Sequence, residues 1–264
     1  MRIIILIVSV MVLSSCNVQY RLLYSPSSFV PSMEELAADA MEFWPSGPNG
    51  YRGFIGTAGI KDIKGTVIVF HGNAGTASDR IYYVKTLGAL RYRVILAEYP
   101  RYGARKGELG EASLVSDARM TVRLAAETYG EPIFLVGESL GCGIVSGVVR
   151  DASLKIAGVV LITPWETLLA VAREKFPFLP IAWFMKDVYD NSGNLKGFRG
   201  RIAIVGAERD EIIPIRHAQA VYTSHPGKKK MWTIKGVGHN DWPMAVDVPQ
   251  WREFMGFVEG DDTP

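Results

Sequence analysis

The stretch Ile133-Phe134-Leu135-Val136-Gly137-Glu138-Ser139-Leu140-Gly141 decides how this chain is read. Four apolar residues suit a buried strand, and Leu140-Gly-Cys-Gly-Ile-Val-Ser-Gly-Val-Val149 suits a helix. Between them lies Gly-x-Ser-x-Gly, the pattern of a sharp strand-to-helix turn that leaves the central serine at its tip. Such a turn leaves no room for side chains two residues before and after the serine, and Gly137 and Gly141 meet that demand. Gly143 is expected to let the helix pack close to the strand. Ser139 is therefore the candidate nucleophile. The pentapeptide alone is common, so the case depends on partners elsewhere in the chain.

Two partners follow downstream. Arg201 to Gly206 reads as a buried strand, and Ala207-Glu208-Arg209-Asp210-Glu211 leaves it as a loop. An aspartate just past a strand's carboxyl end is well placed to orient an imidazole, which makes Asp210 the candidate acid. Lys230 to Ile234 is a further strand, followed by Lys235-Gly-Val-Gly-His239-Asn240-Asp241. His239, on a glycine-rich loop, is the candidate base. Asp241 competes with Asp210, but a carboxylate two residues from the histidine is better suited to bracing the loop. Upstream, Thr66-Val-Ile-Val-Phe70 is a strand that runs into His71-Gly72-Asn73-Ala74-Gly75. Backbone N–H groups of Asn73 and Leu140 are the candidate oxyanion donors, each worth about 3 kcal/mol in such sites.

Together these pieces resemble the α/β-hydrolases, close to small serine hydrolases near the serine-aminopeptidase and prolyl-oligopeptidase relatives. The resemblance is carried by residues 71–75, 137–141, 209–214 and 238–241, and by Glu98-Tyr99-Pro-Arg-Tyr-Gly103. Pro100 and Arg101 depart from the Asp-Tyr-Arg-Gly-Tyr-Gly turn of that family. The order Ser139, Asp210, His239 is the family's triad order. The resemblance implies an α/β-hydrolase fold with a mostly parallel central sheet, helices on both faces and a minimal cap. It implies a serine hydrolase cleaving carboxylic esters, thioesters or amides through an acyl-enzyme. A short-peptide peptidase and a non-catalytic envelope scaffold are the competing readings.

Other residues carry plainer expectations. His71 makes a structural hydrogen bond, Glu208 and Glu211 are solvated, and Glu138 packs or faces solvent away from substrate. His217 and His225, without a motif, are expected on a helix or at the surface. Gly141-Cys-Gly143-Ile-Val-Ser-Gly147 with Glu166 imitates a dinucleotide fingerprint, but that reading leaves Ser139, Asp210 and His239 unexplained. No cofactor is expected. Four histidines and two cysteines without ligand spacing give no metal site. A net charge of +2 and one short run, Lys228-Lys229-Lys230, argue against a nucleic-acid partner. Cys142, among the glycines of the turn, reads as a small buried residue.

The ends of the chain read differently. Met1-Arg2 precedes an apolar run from Ile3 to Leu13, whose 11 residues fall short of the ~20 that span a bilayer. Leu13-Ser14-Ser15-Cys16 then matches a bacterial lipobox, so residues 1–15 are expected to be a lipoprotein signal peptide. Cys16 would carry the lipid and residues 16–30 the tether, leaving 31–264 as one α/β domain. The expected address is the cell envelope, held to the membrane by lipid. By resemblance to such lipoproteins, uncharged Asn17 favours the outer membrane in a two-membrane cell.

Within the domain, Ser32-Met-Glu-Glu35 is a capping box opening a helix to about Phe43. Strands are expected at 51–57, 66–70, 93–99, 133–138, 158–163, 201–206 and 230–234. Helices are expected at 79–90, 113–129, 140–150 and 215–224. The apolar segment Phe176 to Met185 has three readings: a helix packed on the sheet edge, an acyl-binding wall, or a surface that meets a membrane. The first is the simplest.

Overall fold

A computed structural model describes residues 19–130, 132–183 and 185–261. The signal peptide read at 1–15 and the lipidation site read at Cys16 lie outside the described residues. In chain order the main sheet is built from β1 (Met41–Trp44), β2 (Gly53–Gly56), β3 (Gly65–Phe70) and β4 (Tyr92–Ala97). It continues with β5 (Ile133–Glu138), β6 (Ile156–Ile162), β7 (Arg201–Ala207) and β8 (Lys229–Ile234). Helices are α1 (Met33–Ala38), α2 (Ile81–Ala89), α3 (Glu111–Tyr129), α4 (Leu140–Val149) and α5 (Leu168–Lys175). They are followed by α6 (Asn191–Leu195), α7 (Arg216–Ser224), α8 (Trp242–Ala245) and α9 (Val248–Glu259).

Spatially the strands run β8-β7-β6-β5-β3-β4-β2-β1. From β4 to β8 all neighbours are parallel, while β2 pairs antiparallel with both β4 and β1. Alternation along each strand splits the core into two layers. Ile68, Phe70, Leu135, Leu161 and Ile204 face one cluster with residues of α3, α4 and α7. Val67, Val69, Val136, Val160 and Val205 face the other, with residues of α2 and α9. Burying each such side chain contributes about 1.5–3 kcal/mol, so a sheet covered on both faces is the stable arrangement. This is the expected α/β-hydrolase architecture.

Three differences from the sequence reading stand out. The helix opened by the Ser32 capping box ends at Ala38, and Ala40 takes a positive φ of 54°. The chain then turns into β1, so Phe43 lies in an edge strand rather than at a helix end. Helix α9, capped by Asp247 with Gln250 at its third position, was not anticipated. Residues 19–26 do not form a free tether. Residues 19–23 are helical, and Ser25–Pro26 pairs in parallel with Ala74–Gly75 beside the His71 loop.

Strand order reverses at β3, since β4 lies on one side of it and β5 on the other. Loops leaving the carboxyl ends of β3 and β5 therefore diverge and open a crevice, the usual ligand position in a sheet of this kind. The His71 loop and the Ser139 turn are those two loops.

Candidate active site

Ser139 sits between β5 and α4 with φ 51° and ψ −114°. This is a strained conformation for a residue with a side chain, and the surrounding bonds hold it. Its N–H donates to the Ile162 carbonyl at 3.0 Å. The two glycines are required by contact. A Cβ on Gly137 would lie 2.7 Å from the Gly141 carbonyl oxygen, and one on Gly141 would collide with the carbonyl oxygen of Phe70. Gly143 serves a different neighbour from the expected one, because its missing Cβ makes room for the Tyr189 ring.

The three residues singled out in the sequence meet here. His239 Nε2 lies 3.0 Å from Ser139 Oγ, and its Nδ1 lies 2.7 Å from Asp210 Oδ2. They come from β5, β7 and β8 loops at the same end of the sheet. Asp210 is buried, and its other oxygen accepts the N–H groups of Ile212 at 2.9 Å and Ile213 at 2.6 Å. Those bonds fix the carboxylate's orientation. Asp241 is exposed and precedes α8. Glu211 is also exposed, but its Oε2 accepts the His239 N–H at 3.4 Å. Glu208 pairs with Lys235 at the surface.

Asn73 and Leu140 both line the cavity around Ser139. Leu140 opens α4, where the first N–H groups have no partner within the helix and the dipole favours negative charge. The Asn73 carbonyl accepts from Ser25 N–H at 3.0 Å and from Tyr102 Oη–H at 2.7 Å, which fixes the loop. His71 is buried and bonds Gly72 O at 2.8 Å and Glu98 Oε1 at 3.1 Å, a structural position.

Of the two roles expected for Glu138, the structure shows packing, although the residue also borders the cavity. It is buried and accepts from Tyr82 at 2.8 Å, Tyr83 at 3.2 Å and Arg80 at 3.3 Å, tying the turn to the start of α2. Both unassigned histidines are buried. His217 bridges Glu166 at 2.7 Å and Glu174 at 3.1 Å, fastening α7 to α5 and its preceding loop. Glu166 is thus engaged away from the glycines that imitated a dinucleotide site. Cys142 Sγ–H donates to the Gly137 and Ile162 carbonyls, and burial pushes its thiol pKa well up. Among the described residues no cluster suits a metal ion.

The cavity over Ser139 has a volume of about 960 Å³. Its walls come from two segments, one of which the sequence offered as a possible acyl-binding wall. One is the 168–185 region, with Val171, Phe176 and Ile181 on the cavity side. Among the described residues, 176–185 holds only a 3-10 turn at Ile181–Trp183, so of the readings offered for it the edge-packed helix gives way to the cavity wall. The other is the N-terminal strap, which contributes Leu22 and Leu23. Gln19 and Tyr24 pin this strap to the 186–189 loop, through bonds such as Tyr24 Oη–H to Asp187 Oδ2 at 2.8 Å.

Residues 61–192, half of the chain, match the family described as serine aminopeptidase, S33. The chain belongs to that family. It is a hydrolase of the α/β-hydrolase superfamily. An uncharacterized protein of Mycobacterium tuberculosis is 27% identical over 253 residues, covering 93% of this chain and 88% of its own length. The chicken (Gallus gallus) protein named lysophosphatidylserine lipase ABHD12 is 27% identical over 224 residues, covering 73% of this chain and 58% of its own length. Among solved structures, an esterase from Pyrococcus furiosus superposes with a TM-score of 0.63 at 15% identity, over 89% of this chain and 98% of its own. That likeness concerns the fold.

Proposed function

We propose that this family member is a serine hydrolase that cleaves carboxylic esters of extended acyl chains. The observation that carries the reading is His239 held between Ser139 Oγ at 3.0 Å and Asp210 at 2.7 Å. In this mechanism Ser139 Oγ attacks the ester carbonyl while His239 Nε2 takes its proton, and Asp210 stabilises the imidazolium. The tetrahedral oxyanion receives the N–H groups of Asn73 and Leu140. Collapse returns the proton from His239 to the departing alcohol, leaving an acyl group on Ser139 that water then removes.

The cavity supports the choice of substrate. Its about 960 Å³ lies at the upper end of the roughly 300–1,000 Å³ usual for small-molecule sites. Apolar side chains of both wall segments favour a hydrocarbon chain over a charged peptide. Likeness to a protein named as a lipase supports the same class. Each methylene buried contributes up to about 0.8 kcal/mol, so kcat/KM is expected to rise up to about fourfold per methylene until the cavity is filled. We also infer that Cys16 carries the lipid and holds the enzyme on the cell-envelope membrane, with the outer membrane as its address in a two-membrane cell. A mature N-terminus found unmodified at another residue would remove that part alone.

A fluorophosphonate probe should label the protein and fail on Ser139→Ala. Aryl esters of rising chain length should outpace aminoacyl anilides. Faster cleavage of the anilides would turn the reading to a peptidase, and no labelling would turn it to a scaffold.

A further inference from the structure

We propose that the rim of the cavity is a docking surface for an anionic lipid bilayer, oriented so that the cavity mouth opens onto the membrane. Four large apolar side chains stand in water on the two segments that wall the cavity: Leu22 at 63% exposure, Phe178 at 96%, Leu179 at 59% and Trp183 at 84%. Leu22 and Leu179 also line the cavity, so the exposed patch and the cavity wall are continuous. The patch draws on two segments far apart in sequence that are joined directly, the Lys186 N–H donating to Gln19 Oε1 at 2.7 Å. Several large apolar side chains exposed on the segments that wall one cavity point to an interaction site rather than scattered chance exposure.

The chain itself argues for a bilayer as the occupant. The first described residue, Gln19, lies on the rim, and only Asn17 and Val18 separate it from Cys16. Three residues reach at most about 11 Å, so a lipid on Cys16 that enters a membrane holds the rim against the same membrane. Cations suit that surface. Arg21, Arg173 and Lys186 are exposed on the segments that carry the rim, where they attract anionic headgroups. An acyl chain could then pass from the bilayer to Ser139 along apolar surface without crossing water. That entry route rests on the esterase reading, whereas the docking does not.

Tryptophan fluorescence of the full chain on phosphatidylcholine–phosphatidylglycerol vesicles with brominated acyl chains tests the docking. Four of the six tryptophans, Trp44, Trp165, Trp242 and Trp251, are buried, so Trp183 is the natural reporter. Bromine should quench the emission, and Trp183→Phe should remove that quenching. Phe178 and Trp183 do not line the cavity. The double variant Phe178→Ser, Trp183→Ser should therefore hydrolyse a soluble butyrate ester as the parent does. Its turnover of a long-chain ester embedded in vesicles should fall by about tenfold or more. Equal quenching in parent and Trp183→Phe would overturn the proposal, as would a protein that does not float with vesicles. So would a rim covered by a second copy, seen as a dimer that the double variant disrupts. If neither ester is cleaved by the parent, the esterase reading fails while the quenching still decides the docking.

Discussion

At the scale of single residues, Asp210 and Asp241 differ by environment rather than by distance in sequence. Asp210 is buried, bonded to His239 and held by two backbone N–H groups, whereas Asp241 is exposed. Asp210→Asn should lower kcat by about 10⁴, the loss expected when the imidazole is held in the wrong tautomer. Asp241→Asn should cost less than about tenfold. Steady-state kinetics on one aryl ester decides, and the reverse ranking would mean the acid is misassigned. Cys142 gives a second check. Its buried thiol is pushed well above the ordinary range by desolvation, so the reactive thiolate is scarce at neutral pH. Maleimide should leave Cys142 unmodified in the native protein and label it only after denaturation, as intact mass would show.

Among the elements, the N-terminal strap and His217 hold the cavity walls in place. Tyr24 Oη bonds both Asp187 at 2.8 Å and Tyr189 at 2.9 Å in a buried cluster. Tyr24→Phe should cost about 1–3 kcal/mol in a denaturant titration, because the Asp187 carboxylate loses a donor. A midpoint unchanged from the parent would mean that the strap adds nothing to the fold. His225 is buried, and desolvation, with Lys229 adding to it, lowers its pKa in the folded state. The unfolded chain then binds the proton more tightly. The stabilisation is fully present above about pH 6.5 and is lost as pH falls through the folded pKa. His225→Gln should flatten that part of the stability–pH curve, measured by denaturation from pH 7 down to about pH 5. Strands β2 to β8 and the serine, aspartate and histidine loops were legible because each carries its own local pattern and their order along the chain is informative, whereas β1 was read as a helix end. Helix α9 also had a readable signal, with Asp247 and Gln250 as a capping box and buried residues at 251, 254, 255 and 258. The strap had none. Tyr24 meets a partner 163 residues away, and no periodicity within residues 19–26 announces such a contact.

For the whole molecule, sheet order creates the crevice, the diverging loops supply the reactive groups, and the N-terminal strap and the 168–185 segment wall an apolar cavity around them. In the proposed mechanism Ser139 accepts the acyl group of an extended-chain ester. Rapid acid quenching during turnover of a p-nitrophenyl ester of a long fatty acid, followed by peptide mass analysis, tests it most directly. An acyl adduct is expected on the peptide containing Ser139, formed at the rate of the p-nitrophenol burst and absent in Ser139→Ala. Turnover by the wild-type enzyme with the acyl group on another residue, or undiminished turnover by Ser139→Ala, would contradict it.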